Sequence, residues 1–120
     1  MTKVNQIWKC EICGNIIEIE HAGADSLVCC NQPMDLQKEQ TNDPEKGEKH
    51  IPVIENKRIR IGTIEHPMTE EHHIEWIEAI GENNERCKIF LKPKDKPEAE
   101  FCFKIKQART YCNLHGLWKN

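Results

Sequence analysis

Cysteines near the start of the chain limit what its first third can fold into. Cys10-Glu11-Ile12-Cys13-Gly14 is a CxxCG motif, in which two thiols bracket a turn and the glycine lets the backbone fold back. Cys29 and Cys30 follow as a second pair. A segment of fewer than about 40 residues rarely buries enough apolar surface to fold alone. We therefore expect a metal ion, bound by these four cysteines, to hold the segment together.

The second cysteine pair is unusual because its members are adjacent. Most metal sites of this type keep two residues between paired ligands, so Cys29 and Cys30 could share one tetrahedral ion only with a distorted angle. A vicinal disulfide is the rival interpretation, but it would leave Cys10 and Cys13 without partners. Tetrahedral sulfur ligation suits both zinc and iron. The residues alone leave open a structural zinc ion and a one-electron iron centre.

Composition indicates a globular protein and excludes several functions. The chain has 120 residues, of which 38% are hydrophobic and 31% charged, and its net charge is -3. It has no dense basic stripe for nucleic acid, no apolar run near the ~18 residues of a membrane span, and no apolar signal-peptide core at its N-terminus. We therefore expect the cytoplasm, where seven cysteines are metal ligands more often than disulfides.

Residues 37–49 contain no apolar side chain, which predicts a linker or surface loop. We accordingly divide the chain into a four-cysteine domain (1–37), a linker that begins the active-site loop (38–49) and a second domain (50–120). In the second domain, β-rich runs separated by Gly, Pro or Asn predict a β-sandwich. These runs are 57–64, 74–80, 87–91 and 100–106.

The second domain contains its own set of metal-binding side chains. Cys112-Asn113-Leu114-His115 can place a thiolate and an imidazole on one ion from a single turn, and the amides of Leu114 and His115 can point back at the sulfur. The other histidines are weak signals one by one, because a lone histidine is more often a surface or core residue than a ligand. They are His50, His66, His72 and His73.

Taken together, the motifs resemble the two-iron superoxide reductases of the desulfoferrodoxin family. The resemblance covers nearly the whole chain: the CxxC…CC spacing, then EKHIPVIE at 48–55, HPMTEEHHIEW at 66–76, FLKP at 90–93 and YCNLHGLW at 111–118. It implies a mainly β fold, with a small desulforedoxin-like metal-stapled domain followed by an immunoglobulin-like, neelaredoxin-like β-sandwich. It favours iron over zinc or another metal in the four-cysteine site. It also implies a homodimer and a rubredoxin as electron donor.

The resemblance further implies the ligands of a second iron. The equatorial imidazoles would be His50, His66, His72 and His115, with Cys112 as axial ligand. Five ligands leave a sixth position open for a substrate, and a thiolate opposite that position pushes electron density toward it. Superoxide would take one electron there and leave as hydrogen peroxide after two protonations, without release of oxygen. The resemblance gives His21 and His73 no role.

Glu48 and Lys49 directly precede His50. From the sequence alone they could be a solvated charge pair in a loop. In the family that the chain resembles, the matching lysine attracts superoxide and orders a proton-delivering water, and the matching glutamate binds the oxidised iron as its sixth ligand. A lysine near an open metal site raises the local concentration of anions. We therefore predict that both residues are catalytic.

Two other functions stay open at this point. The chain could be an electron-transfer protein that uses the four-cysteine iron, with the sandwich only docking partners. It could also be a zinc-stapled interaction module without a redox role. Metal analysis distinguishes the three, because only the reductase holds about two iron ions per chain.

Overall fold

The computed structural model describes residues 1–41 and 43–120. They form two compact units, Met1–Lys38 and Glu39–Asn120. Regular structure is almost entirely β, and in the described ranges the one helix is α1 (Gly47–His50). No helix in those ranges is long and apolar enough to cross a membrane.

The first unit contains two small antiparallel sheets. Its strands are β1 (Ile7–Lys9), β2 (Ile16–Glu18), β3 (Val28–Cys29), β4 (Gln32–Pro33) and β5 (Asp35–Leu36). One sheet has the order β2-β1-β5, and β3 and β4 form a hairpin. Only three large apolar side chains of the unit are buried, Ile7, Ile19 and Met34. So small a core agrees with the expectation that a metal ion holds this unit together.

The second unit is a β-sandwich. Its strands are β6 (Pro52–Glu55), β7 (Arg58–Ile61), β8 (Ile74–Gly81), β9 (Arg86–Phe90), β10 (Glu98–Glu100), β11 (Ile105–Cys112) and β12 (Gly116–Lys119). One sheet has the order β10-β7-β6 and the other the order β12-β11-β8-β9. Residues such as Ile59 and Ile61 of β7 pack with Ile77 and Ala79 of β8 in the core. The predicted mainly β fold with a β-sandwich is confirmed.

Two details differ from the pattern in the sequence. Residues 100–106 were expected to be one strand, but β10 ends at Glu100 and β11 begins at Ile105. Phe101 and Phe103 still pack against the core. The spacing of these apolar side chains therefore reflects burial and not a continuous strand. Cys87 shares its side of the 87–91 run with apolar residues, which predicts a core position. It is exposed, as are Arg86 and Phe90 of β9, the edge strand of the larger sheet.

A buried ion pair joins the two central strands of the larger sheet. Glu78 on β8 and Arg109 on β11 are register partners, with side chains only 3% and 5% exposed and Arg109 Nε 2.6 Å from Glu78 Oε1. Arg86 Nη1 lies 3.2 Å from the same carboxylate oxygen, and Arg109 Nη1 lies 3.2 Å from Glu39 Oε2. Charges can be buried at such a place because each has a partner.

Candidate metal centres

The sulfur atoms of Cys10, Cys13, Cys29 and Cys30 lie within 4.8 Å of one another. Cys13 Sγ is 3.5 Å from Cys29 Sγ, and Cys29 Sγ is 4.0 Å from Cys30 Sγ. A disulfide requires about 2.05 Å, so the adjacent cysteines are not bonded to each other. Sulfurs at about 2.3 Å from one tetrahedral ion would be about 3.8 Å apart. The four donors therefore fit a single ion.

Left-handed backbone explains how adjacent cysteines can face one point. Cys30 (φ 53°) and Asn31 (φ 60°) are the two central residues of the β3–β4 hairpin, the conformation of a type I′ turn. Side chains that follow each other in a strand point to opposite faces, and the positive φ of Cys30 breaks that alternation. Gly14 (φ 85°) similarly closes the turn after Cys13.

Two of the thiols have pKa values shifted in opposite directions by their neighbours. A hydrogen bond from the backbone of Cys13 lowers the pKa of Cys10 to about 7. Hydrogen bonds with the Cys13 and Cys10 side chains raise the pKa of Cys29 to about 12. Metal ligation requires thiolates, so an ion bound here would replace the hydrogens that these side chains share.

Four imidazoles in the second unit form a closed ring. Neighbouring ring centroids are 4.6 Å apart for His50–His66 and His66–His72, 5.1 Å for His72–His115 and 5.0 Å for His115–His50. The His50–His72 diagonal is longer, at 6.3 Å. Neighbouring rings are nearly perpendicular, with interplanar angles from 74° to 85°. His50 ends α1, His66 and His72 lie between β7 and β8, and His115 lies between β11 and β12.

Four donor atoms converge inside this ring. The donor atoms of His50, His66, His72 and Cys112 lie within 4.8 Å of one another. His50 Nε2 is 3.1 Å from His66 Nε2, and Cys112 Sγ is 3.4 Å from His66 Nε2. His115 is outside that tightest group, although its imidazole completes the ring of centroids.

The state of the imidazoles suits a metal ion. His50 Nδ1 is 2.8 Å from Lys46 O and His66 Nδ1 is 2.7 Å from Pro67 O. A carbonyl oxygen only accepts, so both Nδ1 atoms carry the hydrogen and both Nε2 atoms offer lone pairs. Burial lowers the pKa of His66 to about 4 and also lowers those of His50 and His72. His72 Nε2 is buried without a hydrogen-bond partner, an arrangement that an ion would satisfy.

Cys112 is fully buried at the end of β11. Burial raises the pKa of its thiol, while hydrogen bonds from the backbone of His115 and Leu114 oppose that rise. This effect on the pKa agrees with the expectation that these two amides act on the sulfur. Such bonds to a metal-bound thiolate reduce its electron donation and thereby tune the ion.

Glu48 and Lys49 are exposed residues of α1. The charge of Lys49 contributes to the lowered pKa of His72, after burial and the charge of His115. Gly62 (φ 79°) lets this segment approach β7, since a Cβ there would lie 2.7 Å from Glu48 O and 2.8 Å from the Lys49 carbonyl carbon. Sequence reasoning missed Gly62, although a glycine inside the β-rich run 57–64 was a signal of close backbone approach.

Two further residues that contact histidines of the imidazole ring were missed. Trp118 stacks on His50 with centroids 4.7 Å apart, and its Nε1 donates to His115 O at 3.1 Å. Gln40, in the expected linker, also donates from Nε2 to His115 O, at 2.7 Å. His73 Nδ1 contacts Thr69 O at 3.0 Å instead of joining the donor group.

Comparisons with known proteins agree with both centres. A family model described as desulfoferrodoxin matches residues 42–120, and one described as the desulfoferrodoxin N-terminal domain matches residues 2–37. A desulfoferrodoxin from Nitratidesulfovibrio vulgaris is 53% identical over 120 residues, covering 95% of this chain and 94% of that protein. A desulfoferrodoxin homolog from Archaeoglobus fulgidus is 49% identical over 126 residues, covering 100% and 99%. The crystal structure of the superoxide reductase from Treponema pallidum matches with a TM-score of 0.76 and 26% identity, covering 96% and 95%.

Proposed function

Because this chain belongs to the desulfoferrodoxin family, we propose that it is a superoxide reductase, an oxidoreductase that converts superoxide to hydrogen peroxide. One electron and two protons are added to each superoxide, and no oxygen is released. The observation that carries this conclusion is the ring of four imidazoles together with the buried sulfur of Cys112, which lies within 4.8 Å of donor atoms of three of them. Neither a pure electron carrier nor a zinc-stapled module needs such a second donor set.

Two iron ions per chain fit the two donor sets. We assign the first to Cys10, Cys13, Cys29 and Cys30. We assign the second to His50, His66, His72 and His115, with Cys112 as the fifth ligand. When bound at these residues, a ferrous ion would supply the electron that superoxide takes up. Five protein donors leave a position for a small molecule, which zinc in its usual four-coordination would not.

The protein's own contribution is to attract and place the substrate. We assign Lys49 to draw the superoxide anion toward the imidazoles, because this exposed lysine directly precedes His50 in α1 and its charge is among the causes that lower the pKa of His72. We assign Glu48 to provide a carboxylate ligand for the oxidised second iron after the product has left. The Glu48 backbone is held, since its carbonyl accepts from Ile64 N at 3.1 Å. The salt bridges of the described ranges include neither of these charged side chains, so no ion pair holds either of them away from the site.

The remaining parts of the proposal concern organisation and partners. We infer a four-cysteine domain at 1–37, a segment at 38–49 that leads into the active site, and the catalytic sandwich at 50–120. We infer rubredoxin as the electron donor, a homodimer as the assembly, and the cytoplasm as the compartment. The last inference has a chemical reason, since four thiolates must stay reduced to bind iron.

Metal analysis tests the assignment directly. The purified protein is expected to hold about two iron ions per chain. Each centre should give its own set of absorption bands. One iron per chain would favour the electron carrier. Zinc without iron would favour the interaction module.

Replacing Lys49 with Ala is expected to slow the reaction of the reduced protein with superoxide by about tenfold or more, because charge focusing at a cleft raises association rates by about 10 to 10³. The ionic-strength dependence of the rate should also flatten, since the charge that salt screens is gone. Pulse radiolysis at two salt concentrations measures both effects.

Lys57→Ala is the matched control. It also removes one positive charge, but Lys57 lies in the β6–β7 turn, at the far end of that hairpin from His50. Lys49→Arg should recover much of the attraction, and any remaining deficit would point to the ordered water. A Lys49→Ala protein with the wild-type rate and salt dependence would show that Lys49 is only a solvated residue.

A further inference from the structure

The proposed imidazole ligands differ in how their rings are held. His50 and His66 are each oriented by their own Nδ1–H bond to a backbone carbonyl. His72 has no such anchor. Its Nε2 is buried without a partner, and within the described ranges no hydrogen bond of its Nδ1 occurs. The direction of the His72 ring therefore depends on the backbone that carries it.

Asn113 holds that backbone on both sides of His72. Its Nδ2 donates to Glu71 O at 2.9 Å, and its Oδ1 accepts from His73 N at 2.9 Å. Its own backbone N–H donates to His73 O at 3.2 Å. One side-chain amide thus spans the residues that precede and follow the ligand, and uses a donor and an acceptor to do so.

The loop is closed on its other side by Thr69. His72 N donates to Thr69 Oγ1 at 3.1 Å, and Thr69 N donates to His72 O at 2.9 Å. These bonds shape the turn internally, but they do not connect it to another element. The pairing of Ile74 with Cys112 joins the end of this loop to β11, and Asn113, which directly follows Cys112, extends that connection to the residues on both sides of His72.

We propose that Asn113 is a positioning residue that fixes His72 relative to Cys112, so that the imidazole and the thiolate reach the same ion. This inference rests on the proposed metal site, but it does not depend on superoxide being the substrate. Loss of the Asn113 side-chain amide would leave Glu71 O and His73 N–H without these partners. The loop that carries His72 could then move relative to the Cys112 turn. Residues that orient metal ligands typically change metal affinity by about 10- to 100-fold.

The test compares iron retention at both centres of the same molecule. Iron-loaded wild type, Asn113→Ala and Asn113→Asp are exposed to a chelator, and the loss of each iron is followed by its own absorption. Asn113→Ala is expected to lose the histidine-bound iron about 10- to 100-fold faster than wild type and to show an altered electron paramagnetic resonance signal when oxidised. The four-cysteine iron should be lost at the wild-type rate. Asn113→Asp keeps the acceptor for His73 N–H but has no donor for Glu71 O. Its rate of loss of the histidine-bound iron should therefore lie between the rates of wild type and Asn113→Ala.

Asn83→Ala is the control, since this exposed asparagine lies in the β8–β9 turn and its side chain makes no hydrogen bond within the described ranges. Unchanged retention and signal in both Asn113 variants would overturn the inference, as would equally faster loss from both centres, which a general loss of stability would cause. If Asn113→Ala does not fold, a wild-type result for Asn113→Asp is sufficient to overturn it. A wild-type protein that binds no iron at the histidines would instead contradict the proposed function.

Discussion

Replacing Cys13 with Ser is expected to remove the four-cysteine iron and to loosen residues 1–38, while the reduced second iron still reacts with superoxide. A serine hydroxyl is a poor substitute for a thiolate, and apparent binding energies in small structural sites are about 10–16 kcal/mol. The first unit buries few large apolar side chains and cannot offset such a loss. All ligands of the second centre lie in the other unit, which is why that centre should survive.

Limited proteolysis measures the loosening of residues 1–38. The absorption of each centre shows which iron is lost and whether the second iron still reacts with superoxide. Cys102→Ser is the control, because Cys102 is an exposed cysteine outside both donor groups. A Cys13→Ser protein whose reduced catalytic iron no longer reacted with superoxide would contradict the independence of the two centres.

Replacing Glu78 with Leu is expected to lower the free energy of unfolding of the second unit by about 3–5 kcal/mol, the usual cost of removing one partner of a buried ion pair. Arg109 would lose the buried carboxylate oxygen that lies 2.6 Å from its Nε, while its ion pair with the more exposed Glu39 would stay. Urea unfolding followed by tryptophan fluorescence measures the change, since Trp76 and Trp118 are buried in this unit.

Two comparisons separate burial of the charge from loss of an ion pair in general. Arg58→Ala breaks the exposed pair with Glu98 and should cost less than about 1 kcal/mol. The double variant Glu78→Leu with Arg109→Leu should recover most of the loss, because it leaves no buried charge. A Glu78→Leu protein as stable as Arg58→Ala would show that the pair is effectively solvated.

The donor sets were accessible from the sequence because the motifs that hold them are local. CxxC and CxxH place two ligands on one turn, and the resemblance joined these turns to the distant histidines. The strand pattern failed where burial alternates without a strand, as at Phe101 and Phe103.

The contacts that hold the ligands were not accessible, because they join residues far apart in the chain. Gln40 donates to His115 O across 75 positions, and Asn113 donates to Glu71 O across 42. A polar segment such as 37–49 predicts exposure, but it does not reveal that one of its side chains fixes a ligand turn. The left-handed conformation of Cys30 was likewise hidden, because it follows from the hairpin register and not from the residue type.

The central claim is tested most directly by counting products. The anaerobic, fully reduced protein is mixed with superoxide in less than stoichiometric amount, and hydrogen peroxide and oxygen are measured together. Reduction predicts one peroxide for each superoxide consumed, oxidation of one catalytic iron for each, and no oxygen. Oxygen appearing at one molecule for every two superoxide ions would mean dismutation, and superoxide that decays no faster than in buffer would mean that the ring of imidazoles does not serve this reaction.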